Sequence, residues 1–212
     1  MSPSSEPVMV VQRSFLTRQE CIPDSGFRSG VNSRLLAAIA GEGFFVPRQE
    51  AEHCDELKQI IIYLVLRHRQ SLFVYQRVKA TTETRLMHMY SIGLGGHINP
   101  LAGALSKDTA PLGDDKDSLF SANLRRELNE EVRFRGYFSY RLLGVVNDEQ
   151  SEVGRYHLGL VYLVTCNTPE IKVRETDKLS GTLMPAACAI AFLPSMETWS
   201  ALIIPDIWRV IG

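Results

Sequence analysis

An α/β (α+β) fold, in which a mixed β-sheet is sandwiched between helices and preceded by an N-terminal arm, is predicted by three observations. Two β-branched and aromatic runs, Ile60–Leu66 and Leu72–Tyr75, are joined by the short polar link His68-Arg69-Gln70-Ser71, which reads as a β-hairpin. A long amphipathic helix is expected from Leu119 to Val132, and strand candidates stand on both sides of it.

The elements follow in order. Residues 1–58 form the arm. Val8-Met9-Val10-Val11 is a strand that ties it down, Asn32-Ser33 caps a short helix running to Ala40 and stopped by Gly41 and Gly43, and a charged helix is expected from Gln49 to Lys58. The arm is too short and too broken to fold alone, so the main domain is set at 59–212. After the hairpin, a strand from Leu86 to Leu94 ends in Gly95-Gly96. Further strands are expected over Arg141–Val146, Tyr156–Thr165 and Ser180–Met184, and a last helix over Met196–Ile204 behind the cap Ser195. Asn99 to Asp117 carries Pro100, Gly103, Pro111 and Gly113 with Asp114, Asp115 and Asp117, too turn-rich for an ordinary connection and expected to be a mobile cover.

Composition narrows the function. At 212 residues, 45% hydrophobic and 22% charged, the chain matches one soluble domain with a real core. Lys and Arg number 23 against 24 Asp and Glu, so no overall positive field draws a long polyanion, and nucleic acid is disfavoured as a partner. The longest unbroken apolar run, Ile60–Leu66, falls far short of the roughly 20 residues that span a bilayer. The start, Met1-Ser2-Pro3-Ser4-Ser5-Glu6, has no basic leader. Cys21, Cys54, Cys166 and Cys188 lie far apart without a C-x-x-C pair, which argues against zinc and for reduced thiols in the cytoplasm.

The chemistry is carried by Arg126-Glu127-Leu128-Asn129-Glu130-Glu131. At helical spacing Glu127, Glu130 and Glu131 share one face, while Leu124, Leu128 and Val132 form the adjoining apolar stripe that docks the helix. Like charges at i, i+3 and i+4 repel, and a hard divalent cation relieves them. Mg²⁺ prefers oxygen ligands and is held by one or two carboxylates plus substrate phosphates, so the expected cofactor is Mg²⁺, with Mn²⁺ able to substitute. A bare run of glutamates is more often a solvated acidic face, with Arg126 pairing Glu130. The full string R-E-apolar-x-E-E, however, arises by chance in on the order of one chain in a thousand.

This string resembles the signature of the Nudix hydrolases, G-x5-E-x7-R-E-U-x-E-E-x-G-U with U apolar. Arg126, Glu127, Leu128, Glu130 and Glu131 occupy its second half, and Phe134 its last apolar place. The resemblance extends more loosely from Gln59 to Gly212 through the order of strands and helix. Two positions depart: Ser118 stands where the signature has its first Glu, and Arg133 where it has a Gly. With Gly96 as the signature glycine, Glu127 is 31 positions on where the pattern leaves 15, an insertion of 16 residues. Gly113 is the alternative glycine, and Asp115 or Asp117 could replace the missing Glu.

The resemblance implies a Nudix-type fold and a Mg²⁺-dependent pyrophosphohydrolase that cuts a phosphoanhydride bond in a nucleoside diphosphate linked to another moiety. Glu127, Glu130 and Glu131 would bind metal, Glu130 and Glu131 would serve catalysis, and Arg126 would orient its neighbours. Members recruit a further carboxylate from a later loop. Glu175, in the polar stretch Arg174–Lys178, is the expected one, with Asp148, Glu149 and Glu152 competing. Gly95 and Gly96 either let backbone N–H groups approach a pyrophosphate or form a turn of positive φ. His97 and His157 either touch substrate or pack. The expected partner is a small nucleoside diphosphate derivative, not a membrane, and a homodimer is permitted. The rival is a Nudix-fold nucleotide-binding or regulatory module without turnover, which Ser118 and Arg133 favour and the intact glutamates oppose.

Overall fold

The computed structural model describes residues 6–31, 33–78, 88–100, 118–174 and 176–211. It has the expected α/β architecture. The arm contributes β1 (Pro7–Gln12), α1 (Arg13–Leu16), β2 (Gly26–Ser29), α2 (Ser33–Glu42), β3 (Phe44–Pro47) and α3 (Arg48–Ala51). The hairpin strands are β4 (Leu57–His68) and β5 (Ser71–Arg77), followed by β6 (Tyr90–Ser91) and β7 (Gly93–His97). The long helix α4 (Ser118–Glu131) leads into β8 (Val132–Phe134) and β9 (Phe138–Asn147). Then come β10 (His157–Cys166), β11 (Ile171–Val173), β12 (Leu179–Pro185), α5 (Ala186–Ala189) and α6 (Thr198–Ile211). The main sheet is ordered β12-β5-β4-β10-β9-β2, with β1, β3, β6 and β7 joined as branches, while β8 and β11 form a separate pair. Among the described residues no helix is long and apolar enough to cross a membrane.

Two compact units divide the chain. The first takes the described residues within 1–62, 96–126 and 144–160, and the second those within 63–95, 127–143 and 161–212.

In the first unit the arm is built into the sheet. Val8, Met9, Val10 and Val11 are all buried, and β1 pairs antiparallel with β3 (Val8↔Val46) and with β4 (Val10↔Gln59). Val8 and Val10 pack with Ala51 and Leu57 in a small apolar cluster. The helix expected over Gln49–Lys58 is corrected: α3 is four residues long, and Leu57 and Lys58 belong to β4, paired with Gln12 and Val11. The open edge of β1 outweighs the local helical preference of this charged stretch. α2 runs through Gly41 and ends before Gly43, where a β-carbon would lie 2.7 Å from the Ile39 carbonyl oxygen.

In the second unit β5 pairs with β12 from Arg77↔Leu179 to Ser71↔Pro185. The hairpin turns at Arg69 and Gln70, with Arg69 at a φ of 53°. The strand expected from Leu86 to Leu94 is two short pieces in its described part, because the Ile92 N–H donates to Ser200 Oγ (2.9 Å). The expected cap Ser195 is replaced by Glu197. Its carboxylate accepts the N–H groups of Trp199 (2.9 Å) and Ser200 (2.7 Å) at the start of α6 and the hydroxyl of Tyr63 (2.7 Å). Tyr75 donates to the Gly93 carbonyl (2.9 Å), and a β-carbon on Gly93 would stand 2.0 Å from the Tyr63 ring. Residues 101–117, which hold most of the expected cover along with Gly113, Asp115 and Asp117, lie outside the described residues.

One buried cation organises the first unit. Lys58, 1% exposed, lies 2.6 Å from the Glu149 carboxylate and donates to the Asn147 side chain. Its ammonium also faces the carbonyls of Gly154 (3.4 Å) and His157 (3.3 Å). Arg13 grips both oxygens of Glu149 through one nitrogen (2.7 and 2.8 Å) and donates to the Asp55 carbonyl (2.9 Å). Burial depresses the Lys58 pKa, with Glu149 working against it; burial raises that of Glu149, but Lys58 and Arg13 outweigh it and hold the carboxyl below its ordinary value. Glu149→Ala leaves two cations, one of them buried, without their carboxylate. A loss on the order of 2 kcal/mol of unfolding free energy is expected in urea melts at pH 7, less than for a fully buried pair because Glu149 is partly exposed.

Candidate active site

Helix α4 forms because Phe120, Leu124 and Leu128 recur every four residues, and all three are buried. Two polar residues share that inward face: Asn123, 2% exposed, and Glu127, 5% exposed. Glu131 is half-buried and Glu130 exposed, so the face grades from interior to water across the three glutamates.

In the first unit the forward part of α4 is fixed by side-chain hydrogen bonds. Asn123 Oδ1 accepts the Asn99 N–H (3.0 Å), and Asn123 Nδ2 donates to the carbonyls of Asn99 (3.1 Å) and Leu119 (2.9 Å). Asn99 Nδ2 in turn donates to the Pro7 carbonyl (2.9 Å). Arg126 Nη2 donates to the His97 carbonyl (2.8 Å) and to Asn123 Oδ1 (3.1 Å). Arg126 therefore ties the helix to the segment that follows the glycine pair. Asn123 went unforeseen, although an amide on an otherwise apolar helical stripe is the visible sign of such a clamp.

Gly95 and Gly96 lie in β7, Gly95 exposed and Gly96 half-buried, and neither is among the glycines of positive φ. The alternative of a positive-φ turn is thereby corrected: this is extended backbone. The rings of His97 and His157 lie tilted at 59° to each other with centroids 5.6 Å apart, and His157 Nδ1 pairs with the Val153 carbonyl at 2.7 Å. Burial, then the charges of Arg48, His157 and Arg126, push His97 down to about 3; burial and Arg48 also lower His157, against the Val153 bond. Both rings are neutral at pH 7.

Two of the competing carboxylates have partners within the first unit. Asp148, 2% exposed, closes its own turn by accepting the N–H groups of Gln150 (3.0 Å) and Ser151 (3.2 Å), and Glu149 holds Arg13 and Lys58. Glu152 is exposed. Glu175 lies outside the described residues, but its neighbour Arg174 donates its backbone N–H to the Glu131 carbonyl (2.9 Å) in the second unit.

Among the described residues no group of three or more His, Cys, Asp or Glu side chains forms a ready-made metal site. Mg²⁺ asks for less, since one or two carboxylates with waters and phosphates complete its shell. The oxygen donors of Glu130 and Glu131, both reachable from solvent, fit that requirement, with Glu127 behind them on the same helical face.

No family model matches the chain. It is 26% identical over 211 residues to protein YmaB of Bacillus subtilis (strain 168), spanning 96% of this chain and 98% of that protein. The crystal structure of Tm1382, a protein proposed to be a Nudix hydrolase, superposes with a TM-score of 0.78 at 26% identity, covering 97% of this chain and all of that one. The match to Tm1382 over the whole length gives this chain the Nudix fold, and Arg126, Glu127, Leu128, Glu130 and Glu131 stand in it at the signature positions.

The neutral histidines give a pH dependence. A histidine depressed in the folded state stays neutral while the unfolded chain takes up a proton, so its contribution is present above pH 6.5 and is lost as pH falls toward about 3. Urea melts between pH 7.5 and 4.5 should show stability declining toward acid, by up to about 1.4 kcal/mol per pH unit from His97, with His157 acting in the same direction. His97→Gln should flatten that slope by roughly one proton's share; an unchanged slope would mean that His97 is not the group responsible.

Proposed function

We propose that this protein is a Mg²⁺-dependent pyrophosphohydrolase that cleaves a phosphoanhydride bond in a nucleoside diphosphate linked to another moiety. The observation that carries the reading is the graded face of α4, where Glu127 is buried, Glu131 half-buried and Glu130 open to solvent on one helix. Glu127, Glu130 and Glu131 would hold the ion. When bound, Mg²⁺ supplies charge neutralisation at the phosphates and a more acidic water. Arg126, anchored on the His97 carbonyl, keeps the carboxylate-bearing turns in register. Glu175 is the proposed base that takes the proton of the attacking water as oxygen bonds to phosphorus and the anhydride oxygen leaves with its electron pair. Support for Glu175 comes from the bond between its neighbour Arg174 and Glu131, and from the commitments of Asp148 and Glu149. Gly95 and Gly96 are proposed to meet the pyrophosphate through a strand edge without side chains. Four cysteines without a disulfide suit the cytoplasm.

A second reading, a nucleotide-binding module without turnover, draws on Ser118 and Arg133 at two signature positions. Incubation with nucleoside diphosphate sugars, dinucleoside polyphosphates and ADP-ribose in Mg²⁺, followed by nucleotide and phosphate release, separates the two. Glu130→Gln and Glu131→Gln should each lose at least about a hundredfold in kcat/KM. Their melting temperatures should stay near wild type, because both side chains reach solvent and each change removes a repelling charge. Wild-type turnover in both variants would overturn the assignment.

Metal and nucleotide should also stabilise the fold jointly. Mg²⁺ with a non-hydrolysable nucleoside diphosphate analogue should raise the melting temperature more than either alone, since both bind only the folded state. A shift without turnover on any substrate would favour the binding module, and no shift with any analogue would remove both readings.

A further inference from the structure

We propose that Arg174 is a positioning residue that closes the C-terminal end of α4 and thereby fixes where Glu130 and Glu131 stand. The proposal rests on the reading of α4 as the metal-bearing helix. A helix leaves its last carbonyls without partners of its own, and the usual remedy is a glycine in the left-handed conformation just past the end. The signature has a glycine near this point. Here Arg133 replaces it, and α4 passes directly from Glu131 into β8. Arg69 and His88 are the described non-glycine residues of positive φ, and neither lies at this end. The last turn of α4 also carries no basic residue to meet the negative end of the helix dipole.

Arg174 supplies both missing elements from just beyond another strand, β11. Its backbone N–H donates to the Glu131 carbonyl (2.9 Å), and its guanidinium Nε donates to the Asn129 carbonyl (2.5 Å). These two acceptors belong to the residues on either side of Glu130. The placement is set by register: β11 runs antiparallel to β8 with Ile171↔Phe134, Lys172↔Arg133 and Val173↔Val132, so Arg174, the residue just past β11, meets the last residue of the helix. Without that clamp the final turn, which holds two of the three glutamates, frays as exposed helix ends do.

The test uses the full-length protein with Arg174→Ala and Arg174→Lys. Amide hydrogen exchange without metal should quicken about three- to tenfold over Leu128 to Val132 in Arg174→Ala, and stay at wild-type rates over Phe120 to Leu124. Mn²⁺ binding, followed by electron paramagnetic resonance, should weaken by a similar factor. At saturating Mn²⁺ kcat should fall while the nucleotide KM holds within about twofold, a split that mere loss of stability would not give. Arg174→Lys keeps a cation at the helix end and should recover most of both effects. Unchanged exchange in the last turn together with unchanged Mn²⁺ affinity would overturn the proposal. If the wild-type protein binds no Mn²⁺ and hydrolyses nothing, the hydrolase reading falls instead, and exchange alone then decides whether Arg174 holds the helix end.

Discussion

The amide of Asn123 is the constraint on which the signature helix depends in the first unit. An unsatisfied amide on the inward face of a helix costs roughly 1–3 kcal/mol, so docking with its partners in place is strongly favoured over docking without them. They are the N–H and carbonyl of Asn99, which is itself bonded to Pro7 at the start of β1. A polar side chain in the interior specifies one register where leucines alone would tolerate several. Arg126 repeats the tie one turn later, on the carbonyl of His97.

In the second unit the same helix is governed by different chemistry. Val132 and Val173 anchor the β8–β11 pair with buried side chains, and this short ladder aligns Arg174 with the last carbonyls of α4. Two of the three glutamates therefore depend on a pair of three-residue strands, one of which follows them directly while the other lies far along the chain.

Local signals in the sequence were enough for the hairpin, the long helix and the strands β9, β10 and β12, because each has an apolar pattern longer than its neighbours can override. The strand expected over Arg141–Val146 is longer in the structure, Phe138–Asn147, as is the last helix, which continues through Pro205 to Ile211 on a stripe of buried isoleucines. The pair β8 and β11 was not legible, since three-residue strands have no periodicity to read and exist only through each other. The glutamate helix was found from its residues, but the grading of its carboxylates was not, because burial depends on what packs against the helix. Asp148 and Glu149 show the same limit. In sequence they are two acids in a loop, and only the fold reveals that one closes a turn and the other neutralises Lys58. The clamps at Asn123 and Arg174 bridge 24 and 45 positions, a separation that no local pattern encodes.

The place of β1 between β3 and β4 bears on how this chain can be handled. A chain trimmed to begin at Leu57 would bare the β4 edge at Leu57, Lys58 and Gln59 and the apolar surface that Val8 and Val10 now cover. Such an edge is a template for pairing with other chains, so the shortened protein would be expected to aggregate. Fusion partners attached ahead of Pro7 leave that ladder whole, whereas insertions between Gln12 and Phe44 must let the chain return to both sides of one strand.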